Sequence, residues 1–220
     1  RAHPDEALAF QLAACRRFGE ILGIASFASQ THEADDLIGS LARTMRASPR
    51  PLAILTRDKD LGQLLCRPQD YLWDHGADQR SYAPDVERKL GVRPDQLVDY
   101  LALVGDSIDD IPGVPGVGPK TASALLAHFG TLDELWANRE AVATLPIRGA
   151  KSLAAKLEAN WEQVEISRQL AKIVDDLPLD VTLSDLTFGP VDWWAMEEFA
   201  DEMGFGEGFL ARARRVLEDF

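Results

Sequence analysis

The chain has 220 residues, 46% of them apolar and 27% charged, with a formal net charge of −13. This composition excludes intrinsic disorder and collagen-like repeats, and no apolar run approaches the roughly 20 residues that a membrane span needs. So acidic a chain cannot hold nucleic acid by bulk positive charge, so any such contact must use local basic spots, backbone amides or bound cations. Two cysteines, Cys15 and Cys66, make no disulfide framework and fit a reducing, cytoplasmic compartment. The start at Arg1, with neither Met nor an apolar leader, argues against a secretory precursor and suggests a fragment or a processed chain.

From about Asp5 to Leu22 the residues Leu8, Leu12, Cys15 and Leu22 recur at helical spacing, which predicts a helix with Cys15 as a buried thiol. A short extended stretch, Ile24-Ala25-Ser26-Phe27, is expected next. Thr31 is then the expected cap of a helix to about Met45, with Ala34, Leu37, Ile38 and Leu41 as its buried stripe. Pro49 and Pro51 stop it. Leu52-Ala53-Ile54-Leu55-Thr56 reads as a strand buried on both faces, and the strand–helix–strand alternation predicts a parallel sheet with helices packed on it. A short helix through Leu61, Leu64 and Leu65 and a strand at Tyr71-Leu72-Trp73 follow. Pro84 and Pro94 each mark a helix start, and Gly91 ends the first of these helices. Residues 111–119 are too rich in proline and glycine for a helix or a central strand. Thr121 to Phe129, Leu132 to Ala137, Ala150 to Val174, Val191 to Met203 and Phe209 to Leu217 read as helical. The chain is therefore α/β in its first third and nearly all-α afterwards, the change falling between about residues 80 and 95.

Three acidic groups stand out by position. Glu33, Asp35 and Asp36 lie in the first turn of a helix; Asp58 and Asp60 lie just beyond a strand; Asp106, Asp109 and Asp110 precede the glycine-rich segment. Each has an ordinary explanation: a complement to the helix dipole, a helix cap, or a turn former. Ligands in open α/β sheets bind outside the carboxyl ends of strands, so the groups can also converge there. Carboxylates packed together repel unless cations neutralise them, and oxygen-only donors favour Mg²⁺ or Mn²⁺. Two such ions can clamp the attacking and leaving oxygens of a phosphodiester. Paired aspartates also occur in phosphatases, which would account for Asp58 and Asp60 but leave the glycine segment without a purpose.

The string Gly113-Val114-Pro115-Gly116-Val117-Gly118-Pro119-Lys120-Thr121 is the most specific in the chain. Its glycines let backbone amides approach an anion at the start of the next helix, and Lys120 adds a positive charge. This describes a clamp for the phosphate backbone that reads no base sequence, resembling a helix–hairpin–helix; the plainer reading is a helix–loop–helix connection. The Gly-x4-Gly-Lys spacing of a Walker loop is absent. Arg148 and Lys151, in a second glycine-containing turn, offer a further duplex contact.

Glu33-Ala34-Asp35-Asp36, Asp58-Lys59-Asp60-Leu61 and Gly105-Asp106-Ser107-Ile108-Asp109, followed by Pro112 to Gly118, stand in the order seen in bacterial 5′–3′ exonuclease/flap endonucleases, which the chain resembles to about Leu179. The family includes the amino-terminal nuclease domain of DNA polymerase I and free-standing relatives. The resemblance implies the C-terminal part of a PIN-like (Rossmann-like) parallel sheet core at 1–85, a helix–three-turn–helix DNA-binding module at 86–180, and C-terminal helices at 181–220 packing back on the core. It implies metal-dependent hydrolysis of DNA near a 5′ end, flap or junction, by a cytoplasmic monomer. Glu33, Asp35, Asp36, Asp58, Asp60, Asp106 and Asp109 would be metal ligands, direct or through water. Asp36, Asp58, Asp60 and Lys59 would serve catalysis. Gly113, Val114, Gly116, Val117, Gly118, Lys120 and Thr121 would bind DNA, with K⁺ on the hairpin carbonyls. Arg57 replaces the usual Gly and Asp110 the commoner Asn. The family's first strand, with its own metal-binding Asp, and its basic arch are expected upstream of Arg1, so the 220 residues are expected to be an incomplete nuclease.

Overall fold

A computed structural model describes residues 5–217, which form two compact units: residues 5–31 with 179–217, and His32–Pro178. In chain order the elements are α1 (Glu6–Ile21), α2 (Ala34–Met45), β1 (Ala53–Leu55), β2 (Tyr71–Asp74), β3 (Gln79–Tyr82), α3 (Ala83–Leu90), α4 (Leu97–Val104), α5 (Pro119–Phe129), α6 (Leu132–Ala137), α7 (Ala150–Ala159), α8 (Trp161–Ala171), α9 (Trp193–Glu202) and α10 (Glu207–Leu217). These units cut the chain elsewhere than the three segments read from the sequence.

In the smaller unit, the Asp5 carboxylate caps α1 by accepting the Leu8 N–H at 2.7 Å. The buried face of α1 is set by Phe18 and Ile21 against Met196 and Phe199 of α9, with Phe18 stacked on Phe199 at 5.5 Å. Leu8, Leu12 and Cys15 are exposed, which corrects the expected stripe and the buried thiol. Aromatic rings bury more area than a Leu/Cys row and decide which face turns inward. Ile24 to Phe27 forms no strand. Gly23, at φ +72°, turns the chain, and its carbonyl accepts the Gly189 N–H at 2.8 Å.

The larger unit holds a three-stranded sheet in the order β1-β2-β3, with β1 parallel to β2 and β2 antiparallel to β3. The sheet is thus small and mixed, where a parallel one was expected. β3 escapes a sequence reading because Gln79-Arg80-Ser81-Tyr82 has little apolar alternation. β1 is an edge strand with only Ile54 buried; Ala53 and Leu55 face outward, so the strand is not buried on both faces. Its entry is pinned by the fully buried Asp70, which accepts the Leu52 N–H at 2.9 Å and pairs with Arg67. Arg67 in turn donates to the carbonyls of Ser48 and Arg50. α2 starts two residues later than expected, with Glu33 as N-cap in place of Thr31. Its buried side is Leu37, Gly39, Ser40 and Ala42, while Ala34 is exposed. Gly39 shifts the stripe, because a β-carbon there would lie 2.6 Å from Ile173 Cγ2.

The apolar core around the sheet runs through Ala42, Ile54, Leu61, Leu72 and Val86, and a second core, from Val92 to Ala171, joins α4 to α8. The handover lies inside the 80–95 interval. The helix expected over Ala150 to Val174 is two helices, broken at Asn160, whose side chain donates to the Lys156 carbonyl at 2.7 Å. Buried Asp99 on α4 accepts the Leu132 N–H that opens α6 and pairs with Arg168 of α8, each at 2.9 Å. Arg168 also grips Asp133 through both terminal nitrogens. Asp99→Ala would strand a buried N–H and half-strip a guanidinium, a loss of about 2–3 kcal/mol. Urea unfolding should show that loss, with Asp99→Asn losing less because its oxygen still accepts from Leu132.

Candidate active site

Three carboxylates meet where the sheet core joins the second core. One oxygen each of Asp60, Asp106 and Asp109 lies within 4.8 Å of the others. Asp60 opens a short 3₁₀ turn, Asp60–Leu64, just beyond β1. Asp106 follows α4, where its backbone exchanges two hydrogen bonds with Ile111, each 2.8 Å, closing the loop that carries Asp109. Asp106 Oδ1 accepts the Ile108 N–H at 2.8 Å, and its Oδ2 accepts from Lys59 Nζ at 2.5 Å. Lys59 Nζ also lies 3.6 Å from Asp60 Oδ1, an oxygen that is buried without a hydrogen-bond partner.

The electrostatics follow from this packing. The Lys59 hydrogen bond, outweighing partial burial, holds the Asp106 carboxyl below the ordinary carboxylate range. Burial, opposed by Lys59 and helped by Asp58, Asp106 and Asp109, pushes Asp60 up to about 6. Burial also raises Asp35, with further repulsion from Asp58, Glu33, Asp36 and Asp109. Burial alone would lower Lys59, but Asp106, Asp60 and Asp58 hold its ammonium above the usual lysine range. An oxygen-only set with one orphaned oxygen and mutual repulsion fits a hard divalent cation.

The other acids take different places. Asp58 is exposed, and its Oδ1 accepts the Asp60 N–H at 2.9 Å. Both oxygens of Asp36 accept backbone N–H groups, from Val174 at 2.9 Å and from Glu33 at 3.2 Å. Glu33 is the exposed N-cap of α2, and neither it, Asp35, Asp36 nor Asp58 belongs to the three-carboxylate set. Arg57 pairs outside that set, its Nε 3.5 Å from Asp74. Asp110 stands at φ +55° in the turn of the Asp106 loop.

In the hairpin, Val114 and Val117 are buried, and the Val117 N–H donates to the Val114 carbonyl at 2.9 Å. Their side chains belong to the core, so they can offer a ligand only backbone. Gly113 serves packing, since a β-carbon there would lie 2.2 Å from the Val104 carbonyl oxygen. Gly116 turns at φ +83°, and Gly118, the N-cap of α5, has open space where a side chain would stand. The N–H groups of Gly116 and Gly118 meet no acceptor among the described residues. The Thr121 N–H is taken by the Gly118 carbonyl, while Lys120 is exposed. Lys156 of α7, unremarked in the sequence, brings its Nζ to 2.8 Å from where a Gly116 β-carbon would be. No local pattern could have shown this; only the fold joins the two. Arg148 and Lys151 are exposed around Gly149, which starts α7 at φ +77°.

Residues 1–91 match the family model "5′-3′ exonuclease, N-terminal resolvase-like domain" and residues 92–193 match "5′-3′ exonuclease, C-terminal SAM fold". The chain is 47% identical over 166 residues to DNA polymerase I of Pseudomonas aeruginosa, covering 75% of this chain and 18% of that protein. It is 40% identical over 185 residues to flap endonuclease Xni of Shewanella amazonensis, covering 84% and 70%. The fold is similar to that of zinc-bound T5 5′-exonuclease, with a TM-score of 0.64 at 18% identity over 100% of this chain and 72% of that one. The chain belongs to the 5′–3′ exonuclease family. It spans about a fifth of the length of the polymerases it matches.

The raised Asp60 pKa has a consequence for stability. A folded value of about 6 exceeds the unfolded one of roughly 3.9, so the fold binds the proton more tightly and loses stability as pH rises between the two. In chelator, Asp60→Asn should therefore be more stable than the parent near pH 7.5, by about 2–3 kcal/mol, and no different near pH 4. Urea unfolding at the two pH values checks this.

Proposed function

We propose that the chain carries a divalent-metal-dependent, structure-selective 5′ nuclease that hydrolyses DNA phosphodiesters near 5′ ends, flaps or junctions. The observation that carries this reading is the Asp60–Asp106–Asp109 set with its orphaned buried oxygen. The family to which the chain belongs supports it. Asp60, Asp106 and Asp109 would hold Mg²⁺ or Mn²⁺, with Asp35 and Asp58 within electrostatic reach for a second ion or its water shell. The bound metal supplies Lewis-acid polarisation of the phosphodiester. Asp36 and Glu33 act here by fixing the first turn of α2, and Asp36 also anchors the Val174 segment. Lys59, already among the acids, screens their repulsion and can turn to a phosphate oxygen.

Residues 86–180 form the DNA-binding module in this reading. The free N–H groups of Gly116 and Gly118, with Lys120, hold one phosphate of the duplex backbone without reading bases. K⁺ at the hairpin rests on family resemblance, and the Lys156 ammonium beside Gly116 brings positive charge to the same place. The enzyme would act as a cytoplasmic monomer in replication and repair. Among the described residues no helix is long and apolar enough to cross a membrane.

Cleavage of a 5′-flap DNA should require Mn²⁺ or Mg²⁺. Asp106→Asn should cut turnover on the order of a hundredfold while leaving duplex binding in chelator intact. A module that binds without cleaving would show the binding and no metal-dependent product. Lys120→Ala should weaken binding equally on unrelated duplexes and lower the salt slope by about 0.9. A loss that followed base sequence would refute the phosphate contact.

A further inference from the structure

A cleft of about 420 Å³ lies beside the acid cluster, formed by the segment after β1, the β2–β3 hairpin and α3. Five cationic side chains line it, Arg57, Lys59, Arg80, Arg88 and Lys89, against three aspartates. This local excess of two positive charges runs against the net charge of −13 of the whole chain. Asp58 and Lys59 line this cleft as well, so whatever fills it lies next to the carboxylates.

The cations there are available. Arg57 is 87% exposed and only 3.5 Å from Asp74, and Arg88, 76% exposed, pairs with Asp85 across one helical turn. Exposed pairs of this kind contribute at most about 1 kcal/mol, so a phosphate can draw either guanidinium away from its aspartate. The Lys89 ammonium has no ion pair or hydrogen bond among the described residues. Arg80 lies over the rings of Tyr71 and Trp73, at 5.2 and 5.4 Å, which holds its guanidinium in place. Arg57 and Asp74 also line an adjoining cleft with Trp73 and His75. Aromatic rings interleaved with cations suit unstacked bases and their phosphates. The volume accepts a nucleotide or two and is far too small for a duplex.

We infer that this cleft binds the phosphates of a single-stranded nucleic-acid arm leaving the cleavage site, an inference that rests on the nuclease reading above. A terminal 5′-phosphate and an internal phosphodiester offer the same chemistry, and the test separates them. Binding of oligothymidylate, with or without a 5′-phosphate, is measured by fluorescence anisotropy in chelator across a salt series, for the parent chain and for Arg57→Ala/Lys89→Ala. Both residues are surface-exposed, and a melting curve superimposable on the parent's confirms the fold. The double variant should bind about tenfold more weakly at low salt, with the salt slope reduced by about 1.4, while blunt-duplex binding is unchanged. Lys120→Ala should do the reverse. A loss confined to the phosphorylated strand assigns the cleft to the terminal phosphate, and an equal loss on both strands assigns it to the internal backbone. Parent-like affinity and slope in the double variant, or a parent chain that does not bind the strand at low salt, overturns the inference. Failure of the nuclease reading shows separately, as absence of metal-dependent flap cleavage by a parent chain that still binds the strand.

Discussion

A group of aspartates can sit at one sheet end only if something offsets their repulsion, and within the chain that offset is the Lys59 ammonium. Its 2.5 Å hydrogen bond to Asp106 and its approach to Asp60 put one positive charge among three negative ones. The same bond joins two apolar cores. Lys59 follows β1 of the sheet core, while Asp106 follows α4 of the helical core. The site is therefore assembled by packing two cores together, and each carboxylate is placed by a different local device: a 3₁₀ turn for Asp60, a two-bond bridge for Asp106, and the loop it closes for Asp109.

The backbone around this junction leaves little freedom. Gly105, at φ +80°, and Gly113 approach each other so closely that a β-carbon on Gly105 would lie 2.5 Å from the Gly113 nitrogen. That contact seats the hairpin against the end of α4, and Ser167 of α8 secures it by donating to the Pro112 carbonyl at 2.7 Å. The loop of the acids and the hairpin thus share one anchor. A shift in either would move both the carboxylates and the N–H groups proposed to hold a phosphate, which on that reading couples the chemistry to the grip on the backbone.

Much of this was legible in the sequence where the signal is local. Proline and glycine punctuate the chain between Ile111 and Pro119 because both fix backbone angles regardless of tertiary context, and Gly91 ends α3 for the same reason. The acids were legible as groups, but their use was not. Asp36 spends one oxygen on the N–H of Val174, a partner 138 positions away that no spacing rule reaches. Lys156 meets Gly116 across 40 positions, also beyond any local spacing rule. The α1 stripe misled because Leu8 and Leu12 share helical spacing with Cys15, whereas the tertiary partner, Phe199, selects Phe18. β3 was invisible because its residues are chosen for an exposed, arginine-bearing edge rather than for burial.

The charge distribution ties these parts to selectivity. With a net charge of −13, the surface as a whole repels a polyanion, while five cationic side chains line the cleft beside the acids and Lys120 and Lys156 stand at the hairpin. On the proposed reading a plain duplex reaches only the hairpin, a weak, salt-sensitive hold of a few contacts. A branched substrate engages hairpin and cleft at once, and the second contact forms at high effective concentration because the first tethers the strand. Discrimination between duplex and junction then needs no base recognition. It follows from placing two modest phosphate sites on one rigid frame and making the rest of the molecule unattractive to DNA.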